Sequence, residues 1–260
     1  MTEDDFLRAY DPAAFARPAL TVDLVLMGLR AGRPAVLLVQ RTQHPHAGRW
    51  ALPGSFVRLD ETLDGAAERV LRDKAGFAPA EVAETHREQL YTFGALDRDP
   101  RMRIVTVAYL ALMPEAAFAA ALARAAAVAR AAAVAAGPSA ALLDVPWSGE
   151  AGGPVAAFAP GDPDRRTPLR LAFDHAAILA LAVQRLRGKL DYSDVAFALL
   201  PEAFTLRQLQ DVHEAILGTS LNKPAFRRRM LDRGWLAPTG AREAGTSFRP
   251  AELYRFQKPL

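Results

Sequence analysis

The chain has 260 residues, which is enough for a sizeable core and for two domains. It contains no cysteine, so disulfides, cysteine-ligated zinc and thiol chemistry are excluded within it. The net charge is +3, but from Pro201 onward ten Lys and Arg stand against six Asp and Glu, a basic excess that nucleic-acid binding favours. The acidic start, Met1 to Asp5, lacks the basic end and apolar run of a signal peptide, so we expect a cytoplasmic protein.

The first part of the chain predicts several strands and one helix. The apolar run Leu20 to Leu29 predicts a buried strand, and Ala35 to Gln40 predicts its hairpin partner. Leu63 to Lys74 carries apolar residues at helical spacing and predicts a helix. Gln89 to Gly94 and Ile104 to Met113 predict two further strands. This order of elements indicates an α+β sandwich.

The segment that contains the predicted helix resembles the Nudix box of proteins that bind nucleoside diphosphates. That box is a Gly, five residues, a Glu, seven residues and then Arg-Glu-aliphatic-x-Glu-Glu-x-Gly-aliphatic. The matching positions are Ser55 for the first Gly, Glu61, Arg69 and Gly76, with similar flanks over Val36 to Arg41 and Gly48 to Gly54.

The metal-binding half of this box is missing. In a working box three carboxylates share one helix face and hold Mg²⁺ or Mn²⁺, which neutralises the diphosphate and helps to activate water. Here their positions fall on Val70, Asp73 and Lys74, and neither valine nor an ammonium group ligates a cation. The residual box positions are Glu61, Arg69 and Asp73. We therefore predict no catalytic residue, no metal site and no cofactor, with weak Mg²⁺ binding only if activity remains.

The residues that would bind a diphosphate ligand are predicted from residue type and position. Arginine binds phosphates bidentately, and aromatic rings can stack on a base; for each residue the alternative is simple packing or solvation. Lys74 could replace the charge of the metal, paired with Glu61 or Asp73, or it could be an ordinary surface lysine. The candidate ligand-binding residues are Arg41, Trp50, Arg58, Lys74, Tyr91, Phe93, Arg98, Arg101 and Arg103. The histidines lack metal-ligand spacing and are predicted not to be ligands.

The middle of the chain contains an alanine-rich insert at about residues 115–137. Glu115 to Ala136 predicts a surface or packing helix, with a partner-binding helix as the alternative, and its arginines argue against a membrane span. Gly149 to Pro168 predicts a loop, and Phe173 to Arg187 predicts a helix that Gly188 ends. Leu190 to Pro201 would then lead into a second domain.

The second domain begins with a well-marked helix start. Thr205 is placed as the N-cap and Gln208 completes a capping box. Phe204 and Leu209 can form a hydrophobic staple across the same turn. Gly218 is placed to end this helix.

A second helix and a hairpin follow. The helix is predicted from about Lys223 to Arg233, and the strands at Trp235-Leu236 and at Ala251 to Phe256, with Arg242 and Arg249 in the loop between them. The predicted core residues of the helix are Phe226, Met230 and Leu231. This order of elements is that of a winged helix-turn-helix, whose second helix enters the major groove.

The basic residues of this domain are predicted to bind DNA, although they could instead be the solvated face of a protein-binding winged helix. Because Phe226 and Met230 mark the buried side, Arg228 and Arg229 are expected nearer to the DNA than at least one neighbour at the edge of that face. The candidate DNA-binding residues are Thr205, Lys223, Arg227, Arg228, Arg229, Arg233, Arg242 and Arg249.

Nearly the whole chain, except the alanine-rich insert, resembles the Nudix-related transcriptional regulators, which include the regulators of NAD metabolism. The matching stretches are Glu88 to Gly94, Ala172 to His175, Leu186 to Tyr192, Phe204 to Leu217 and Ala251 to Phe256. The resemblance implies a Nudix-like α/β/α sandwich over residues 1–188 and a winged helix-turn-helix over residues 189–260.

The same resemblance implies a function. It indicates a homodimeric repressor or activator that binds a double-stranded DNA operator, with no membrane partner, and that senses a nucleotide-type effector such as ADP-ribose or a nucleotide sugar. One alternative is a Nudix hydrolase that cleaves ADP-ribose-like nucleoside diphosphates. Another is a scaffold that has lost both activities.

Overall fold

An eight-stranded mixed sheet is the centre of the larger domain in the computed structural model, which describes residues 1–132, 137–162, 164–244 and 250–258. The longest strands coincide with the apolar runs of the sequence. The strands of this sheet are β1 (Ala19–Arg30), β2 (Arg33–Gln40), β3 (Trp50–Ala51), β4 (Gly54–Phe56), β5 (His86–Phe93), β6 (Ile104–Leu112), β7 (Ser139–Asp144) and β8 (Ala156–Phe158).

Strand β1 lies in the middle of this sheet. The strand order is β5-β6-β1-β2-β7-β8, with β4 paired to β1 and β3 paired to β2. β1 and β2 form the predicted antiparallel hairpin, in which Met27 lies opposite Val36. β1 runs parallel to β6 on its other side, with Val22 opposite Val107. Because β1 has neighbours along both edges, most of its length is buried.

Helices cover both faces of the sheet. Successive residues of a strand point to opposite faces. Accordingly, Val22 and Leu24 of β1 share a core cluster with α2 and α4, whereas Val25 and Met27 share another with α5. The predicted α/β/α sandwich is therefore confirmed. The helices of this domain are α1 (Glu3–Ala9), α2 (Leu63–Ala75), α3 (Pro79–Glu84), α4 (Glu115–Ala131) and α5 (His175–Lys189).

The alanine-rich segment forms the packing helix α4. Phe118, Ala121 and Ala125 are buried on the side that faces α2 and β1. The short alanine side chains let the two helices lie close together over the sheet. The helix ends at Ala131, and residues 133–136 of the predicted segment lie outside the described residues.

Three predictions for the segment before the second domain are wrong. The predicted loop Gly149 to Pro168 contains β8, which pairs with β7. α5 begins at His175 rather than at Phe173, because Phe173 has a φ of +51°, outside the helical region. Gly188 does not end α5, which continues to Lys189; a Cβ at Gly188 would lie 3.0 Å from Oε2 of Glu150, so a glycine allows this close contact.

The C-terminal part is a winged helix-turn-helix, as predicted. The predicted capping box is confirmed, because the N–H of Gln208 donates to Oγ1 of Thr205 at 3.1 Å and the N–H of Thr205 donates to Oε1 of Gln208 at 2.7 Å. Gly218 ends the first helix in the left-handed conformation. The elements of this domain are α6 (Leu206–Leu217), α7 (Lys223–Asp232), β9 (Leu236–Arg242) and β10 (Glu252–Phe256).

Details of α7 and of the wing differ from the predictions. Asn222 caps α7 by accepting a hydrogen bond from the N–H of Ala225 at 3.0 Å. Leu231 is not a core residue but is 40% exposed, because the buried side of α7 is fixed by Phe226 and Met230 one turn apart. Arg242 ends β9, paired with Glu252, rather than lying in the loop. Arg249 lies outside the described residues.

The two domains share one continuous core through α5. Ile178, Val183 and Leu186 of α5 belong to the same apolar cluster as Leu209 of α6 and Phe226 of α7. The winged helix therefore packs on the face of the sandwich that α5 covers. Among the described helices, none has both the length and the apolar character needed to span a bilayer.

Arg187 ties the end of α6 to α5 at this junction. Its side chain is almost completely buried, at 4% exposure for the residue, and its guanidinium lies 4.4 Å from the ring centre of Trp147. Nε donates to the carbonyl oxygen of Ile216 at 2.8 Å, and Nη1 donates to the carbonyl oxygen of Trp147. Ile216 is in the last turn of α6, where carbonyl groups lack partners within the helix. Arg187 therefore satisfies an acceptor that α6 cannot satisfy itself.

Replacing Arg187 should destabilise the junction. In Arg187→Met the apolar stem is kept, but the buried carbonyl groups of Ile216 and Trp147 lose their donor. We expect the free energy of unfolding to fall by roughly 2–4 kcal/mol, as measured by urea denaturation. Arg72→Met, at an exposed position of α2, is the matched control and should change it by less than about 0.5 kcal/mol. Equal effects of the two substitutions would contradict this role.

Candidate functional site

A cavity of about 270 Å³ opens in the sandwich where the loop of the Nudix-like box meets the segment before α5. Strand β1 and the loop between β5 and β6 provide its other walls. The cavity is lined by Thr21, Asp23, Arg41, Ala51, Leu52, Gly54, Ser55, Phe56, Arg98, Asp99, Arg101, Ile104, Phe173 and His175.

A cation without an acidic partner faces this cavity. Arg41 forms no ion pair with any described carboxylate; instead its Nε donates to the carbonyl oxygen of Pro45 at 2.8 Å. Its guanidinium lies 4.7 Å from the ring centre of Phe173. Burial, together with nearby Arg101, lowers the pKa of Arg41, but arginine remains charged in proteins. The site therefore holds a fixed positive charge that an anionic ligand can neutralise.

Arg101 lies beside this cation between two aromatic rings. It forms a bidentate pair with Asp99, at 3.0 Å and 2.8 Å. Its guanidinium is 5.7 Å from the ring centre of Phe56 and 5.9 Å from that of Phe173. Two cations and two aromatic rings thus border the same space, which suits a ligand with phosphate and ring groups.

A buried ionic network forms the inner wall of the cavity. Arg98 pairs with Asp174 through two hydrogen bonds, of 2.9 Å and 2.8 Å, and its Nη2 lies 3.5 Å from Oδ2 of Asp23. His175 accepts a hydrogen bond from the N–H of Leu52 at Nδ1, so its proton is on Nε2, 3.8 Å from Oδ1 of Asp23. Burial lowers the pKa of His175 and keeps the ring neutral. The network fixes the start of α5 against β1.

The box arginine holds the loop that borders the cavity. Arg69 pairs with both carboxylate oxygens of Glu61, at 2.9 Å and 2.5 Å, and donates to Oγ of Ser55 at 3.0 Å. It also donates to the carbonyl oxygen of Phe56 at 2.9 Å. The hydrogen bond from Arg69 lowers the pKa of Glu61 to about 2. Gly76 ends α2 in the left-handed conformation, as predicted.

None of the three metal positions of the box lines the cavity. Val70 is buried in the core, and Asp73 and Lys74 lie exposed on α2, away from the cavity lining. The described residues contain no group of three or more acidic or histidine side chains arranged to hold a metal. The hypothesised pairing of Lys74 with Glu61 or Asp73 does not form, because Arg69 already occupies both oxygens of Glu61.

The structure brings three of the predicted ligand residues into the cavity lining, namely Arg41, Arg98 and Arg101. The others lie elsewhere. Arg103, for example, is exposed and donates to the carbonyl oxygen of Ala95, and Tyr91 is exposed beside Phe93 on β5. The predicted residues outside the lining are Trp50, Arg58, Lys74, Tyr91, Phe93 and Arg103.

Sequence reasoning missed several lining residues, including Asp23 and His175. One signal was available, because Asp23 is an acidic residue within an otherwise apolar strand. Phe173 and His175 belong to a stretch that carried the family resemblance but received no role. Phe56 lies inside the box itself, at a position where the pattern specifies no residue type.

A larger cleft of about 1050 Å³ lies between the two domains, next to α4 and α6. Four carboxylates line it, against the cations Arg33 and Arg187. This charge balance does not suit an anionic ligand, so we assign ligand binding to the smaller cavity. The four carboxylates are those of Glu115, Asp144, Asp211 and Glu214.

Basic residues collect around a groove between α6, α7 and the wing. Lys223 and Arg227 of α7, Arg207 of α6 and Arg242 of β9 line this groove of about 460 Å³. Thr205 lines it too, but its side chain is buried and serves as the cap of α6. The groove combines the start of one helix, the second helix and the wing, which is where a winged helix contacts a duplex.

The remaining arginines of the second helix point in other directions. Arg228 is exposed, opposite the buried side of α7. Arg229 pairs with Asp191 at 3.3 Å, and Arg233 lies 3.5 Å from the ring centre of Trp235 and donates to the carbonyl oxygen of Ser193. Arg229 and Arg233 therefore face the segment that joins the domains. This arrangement does not support the expectation that Arg229 is among the residues nearest to DNA.

The sandwich with its Nudix-type box and the basic winged helix define a class of protein, a Nudix domain joined to a DNA-binding domain. Residues 17–130 match the model of the NUDIX domain, and residues 196–256 match that of the NrtR DNA-binding winged helix domain. The ADPR responsive transcriptional repressor NtrR of Acinetobacter baylyi is 32% identical over 257 residues, which are 98% of this chain and 88% of that protein. The chain belongs to the NrtR family of Nudix-domain transcriptional regulators.

Solved structures agree with this assignment. NrtR of Shewanella oneidensis is 34% identical and superposes with a TM-score of 0.66, covering 92% of this chain and 94% of the other. The same protein in complex with a 27mer DNA superposes with a TM-score of 0.67 at 34% identity, covering 92% of this chain and 93% of the other. A MutT/nudix family protein from Enterococcus faecalis superposes with a TM-score of 0.73 at 25% identity, covering 99% of this chain and 94% of the other.

The Arg69–Glu61 pair should make stability depend on pH. The pKa of Glu61 is about 2 in the folded chain against an ordinary value of 4.5, so its stabilising effect is complete above 4.5 and is lost as the pH falls from 4.5 toward 2. We expect Glu61→Gln to lower the free energy of unfolding above pH 4.5, and this difference from the native chain to shrink in acid. Urea denaturation across this pH range measures the difference in the free energy of unfolding between the variant and the native chain. Glu84→Gln, on the exposed side of α3, is the control. A difference independent of pH would contradict the assignment.

Proposed function

We propose that this regulator senses ADP-ribose, or a closely related nucleoside diphosphate, in the cavity of its Nudix domain. The observation that carries the proposal is the unneutralised charge of Arg41 in a cavity that Arg101, Phe56 and Phe173 also border. Guanidinium groups bind phosphate oxygens in a bidentate manner, and aromatic rings pack on ribose and base. The Acinetobacter relative, described as ADPR responsive, supports the same ligand.

We also propose that the bound nucleotide is not hydrolysed. Hydrolysis in this class needs a cation held between helix carboxylates and the diphosphate. Here the carboxylate of Glu61 is held by Arg69, Val70 is buried, and Asp73 and Lys74 lie outside the cavity lining. The domain would accordingly bind its ligand with no metal or cofactor, and the Nudix fold would serve recognition alone.

The DNA partner is proposed from the basic groove of the winged helix. Its cations can neutralise phosphates on both sides of a major groove, and α7 can present Arg228 to the bases. The Shewanella relative has been solved with a 27mer DNA, which supports a double-stranded operator as partner. We propose a homodimer acting in the cytoplasm, for which an inverted repeat with half-sites about one helical turn apart is expected.

We propose that the ligand lowers the affinity for DNA, so that binding of the effector releases the repressor from its operator. α5 carries the physical connection, because it begins at the cavity wall and ends against α6. A helix of 15 residues extends about 22 Å, at ~1.5 Å per residue. A displacement of Asp174 would therefore be transmitted along α5 to Arg187 and to the winged helix.

The central test measures DNA binding and ligand turnover in the same preparation. The purified chain should protect an inverted repeat near its own or a neighbouring operon in footprinting. ADP-ribose should weaken that binding about ten-fold or more, within the usual range of coupling between two sites. The effect should persist in EDTA, with ADP-ribose recovered intact by chromatography.

The controls separate the two parts of the proposal. Arg41→Gln should bind the operator normally but lose the response to ADP-ribose, because it removes the unneutralised cation of the cavity. Turnover at about 1 s⁻¹ or faster with Mg²⁺ would favour the hydrolase alternative. The absence of any protected site, with and without ADP-ribose, would overturn the regulator as proposed.

The orientation of α7 predicts unequal effects of its arginines. Arg227→Ala should weaken binding to all DNA sequences alike and reduce the slope of log affinity against log salt by about 1, because Arg227 lines the basic groove, where it would contact phosphate groups. Arg228→Ala should cost roughly 1–3 kcal/mol for the operator and relax specificity at one base pair. Fluorescence anisotropy over a series of salt concentrations measures both.

Arg229→Ala is the matched control for these substitutions. It removes the same charge from the same helix, but the native side chain is paired with Asp191 and turned toward the domain junction. We expect a smaller loss of operator affinity than for Arg227 or Arg228. If Arg229→Ala is the most damaging of the three, the orientation of α7 against DNA differs from the one proposed.

A further inference from the structure

Asp23 is a buried carboxylate at the wall of the ligand cavity, and nothing in phosphate binding accounts for it. It is 8% exposed, on the face of β1 that is turned toward α5. Its Oδ2 has a long contact of 3.5 Å with Nη2 of Arg98, which is already paired twice with Asp174. Its Oδ1 accepts no hydrogen bond from the part of the chain that the structure describes, and Nε2 of His175 is 3.8 Å away.

The free oxygen of Asp23 is directed at the loop of the box. A Cβ at Gly54 would lie 2.2 Å from Oδ1, so any residue other than glycine at that position would collide with the carboxylate. Both Asp23 and Gly54 line the cavity. The absence of a side chain at Gly54 therefore leaves Oδ1 accessible from the cavity.

A carboxylate in this position determines what part of a ligand can lie next to it. A phosphate group would be repelled, because both groups are negative and the surroundings are partly desolvated. A hydroxyl group would instead donate to Oδ1, for which the described part of the chain provides no donor, and a hydrogen bond to a charged acceptor is a strong one. Acidic side chains recognise ribose hydroxyl groups in this way in dinucleotide-binding proteins.

We propose that Asp23 is the specificity residue that accepts a hydrogen bond from a ribose hydroxyl group of the effector. The inference rests on the proposed function, since it assigns a second part of the same ligand. The cavity is then divided by charge, with Arg41 and Arg101 for the diphosphate and Asp23 for the sugar. Selection of a ribosyl nucleotide over a bare diphosphate follows from this division.

The test compares ligands with and without hydroxyl groups on Asp23→Asn, by isothermal titration calorimetry with the full chain. The probes are ADP-ribose, ADP and inorganic pyrophosphate. We expect Asp23→Asn to bind ADP-ribose up to about ten-fold more weakly, because an amide oxygen accepts a weaker hydrogen bond than a carboxylate does. Pyrophosphate, which has no ribose, should bind equally well or more tightly, because a nearby negative charge has been removed.

A matched control is Asp174→Asn. Asp174 also pairs with Arg98, but it does not line the cavity. It should therefore reproduce any disturbance of Arg98 while the carboxylate of Asp23 stays in place, and the preference for ADP-ribose over pyrophosphate should remain. Thermal unfolding of both variants shows whether each is folded.

The outcomes distinguish the two proposals. If Asp23→Asn weakens the binding of ADP-ribose but not that of ADP, the terminal ribose lies at Asp23. If it weakens the binding of both equally, the ribose of the adenosine lies there. Both results support the inference. Unchanged ADP-ribose binding, an equal loss for pyrophosphate, or the same loss of preference in Asp174→Asn overturns it while the effector proposal stands. If the native chain does not bind ADP-ribose at all, the proposed effector is wrong and the inference falls with it.

Discussion

The ion pair between Arg98 and Asp174 is the interaction on which the arrangement of the two domains depends. It joins the loop after β5 to the residue that precedes α5, and it lies in the wall of the ligand cavity. α5 is in turn part of the apolar cluster that the two domains share, because its apolar residues pack under the sheet and against α6. Buried charges persist only when they are paired, so this contact fixes where α5 starts and, with it, where the winged helix sits.

The Nudix-type box retains the interactions that shape a loop, and it carries Val70 and Lys74 at two of its three metal-ligand positions. Arg69 still joins Glu61, Ser55 and the backbone at Phe56, which keeps the border of the cavity in place. The exchange of a metal-binding carboxylate for Val70 adds a side chain to the core of the sandwich, where it is 1% exposed. One position of that helix face is thus part of the packing and the other two are exposed, while the neighbouring cavity has its charge and its aromatic walls.

The division of arginines on α7 has a similar physical basis. Five of the residues from Lys223 to Arg233 are basic. Arg228 is exposed opposite the buried side of the helix, and the other four point in two directions, one of them toward Asp191. Lys223 and Arg227 face the wing, and Arg229 and Arg233 hold the segment that leads back to α5. Charge therefore serves two purposes on one helix, namely contact with a polyanion and attachment of the domain to its partner.

Local patterns in the sequence determined the elements whose formation depends on near neighbours. The β1–β2 hairpin, the helix that ends at Gly76 and the capping box at Thr205 follow from periodicity and capping, which act within a few residues. The family resemblance supplied the order of the two domains. The partners of the charges were decided by the tertiary structure alone, since Arg98 meets a residue 76 positions away. For the same reason Asp23, Phe173 and His175 could be assigned to the cavity only after distant segments had been brought together.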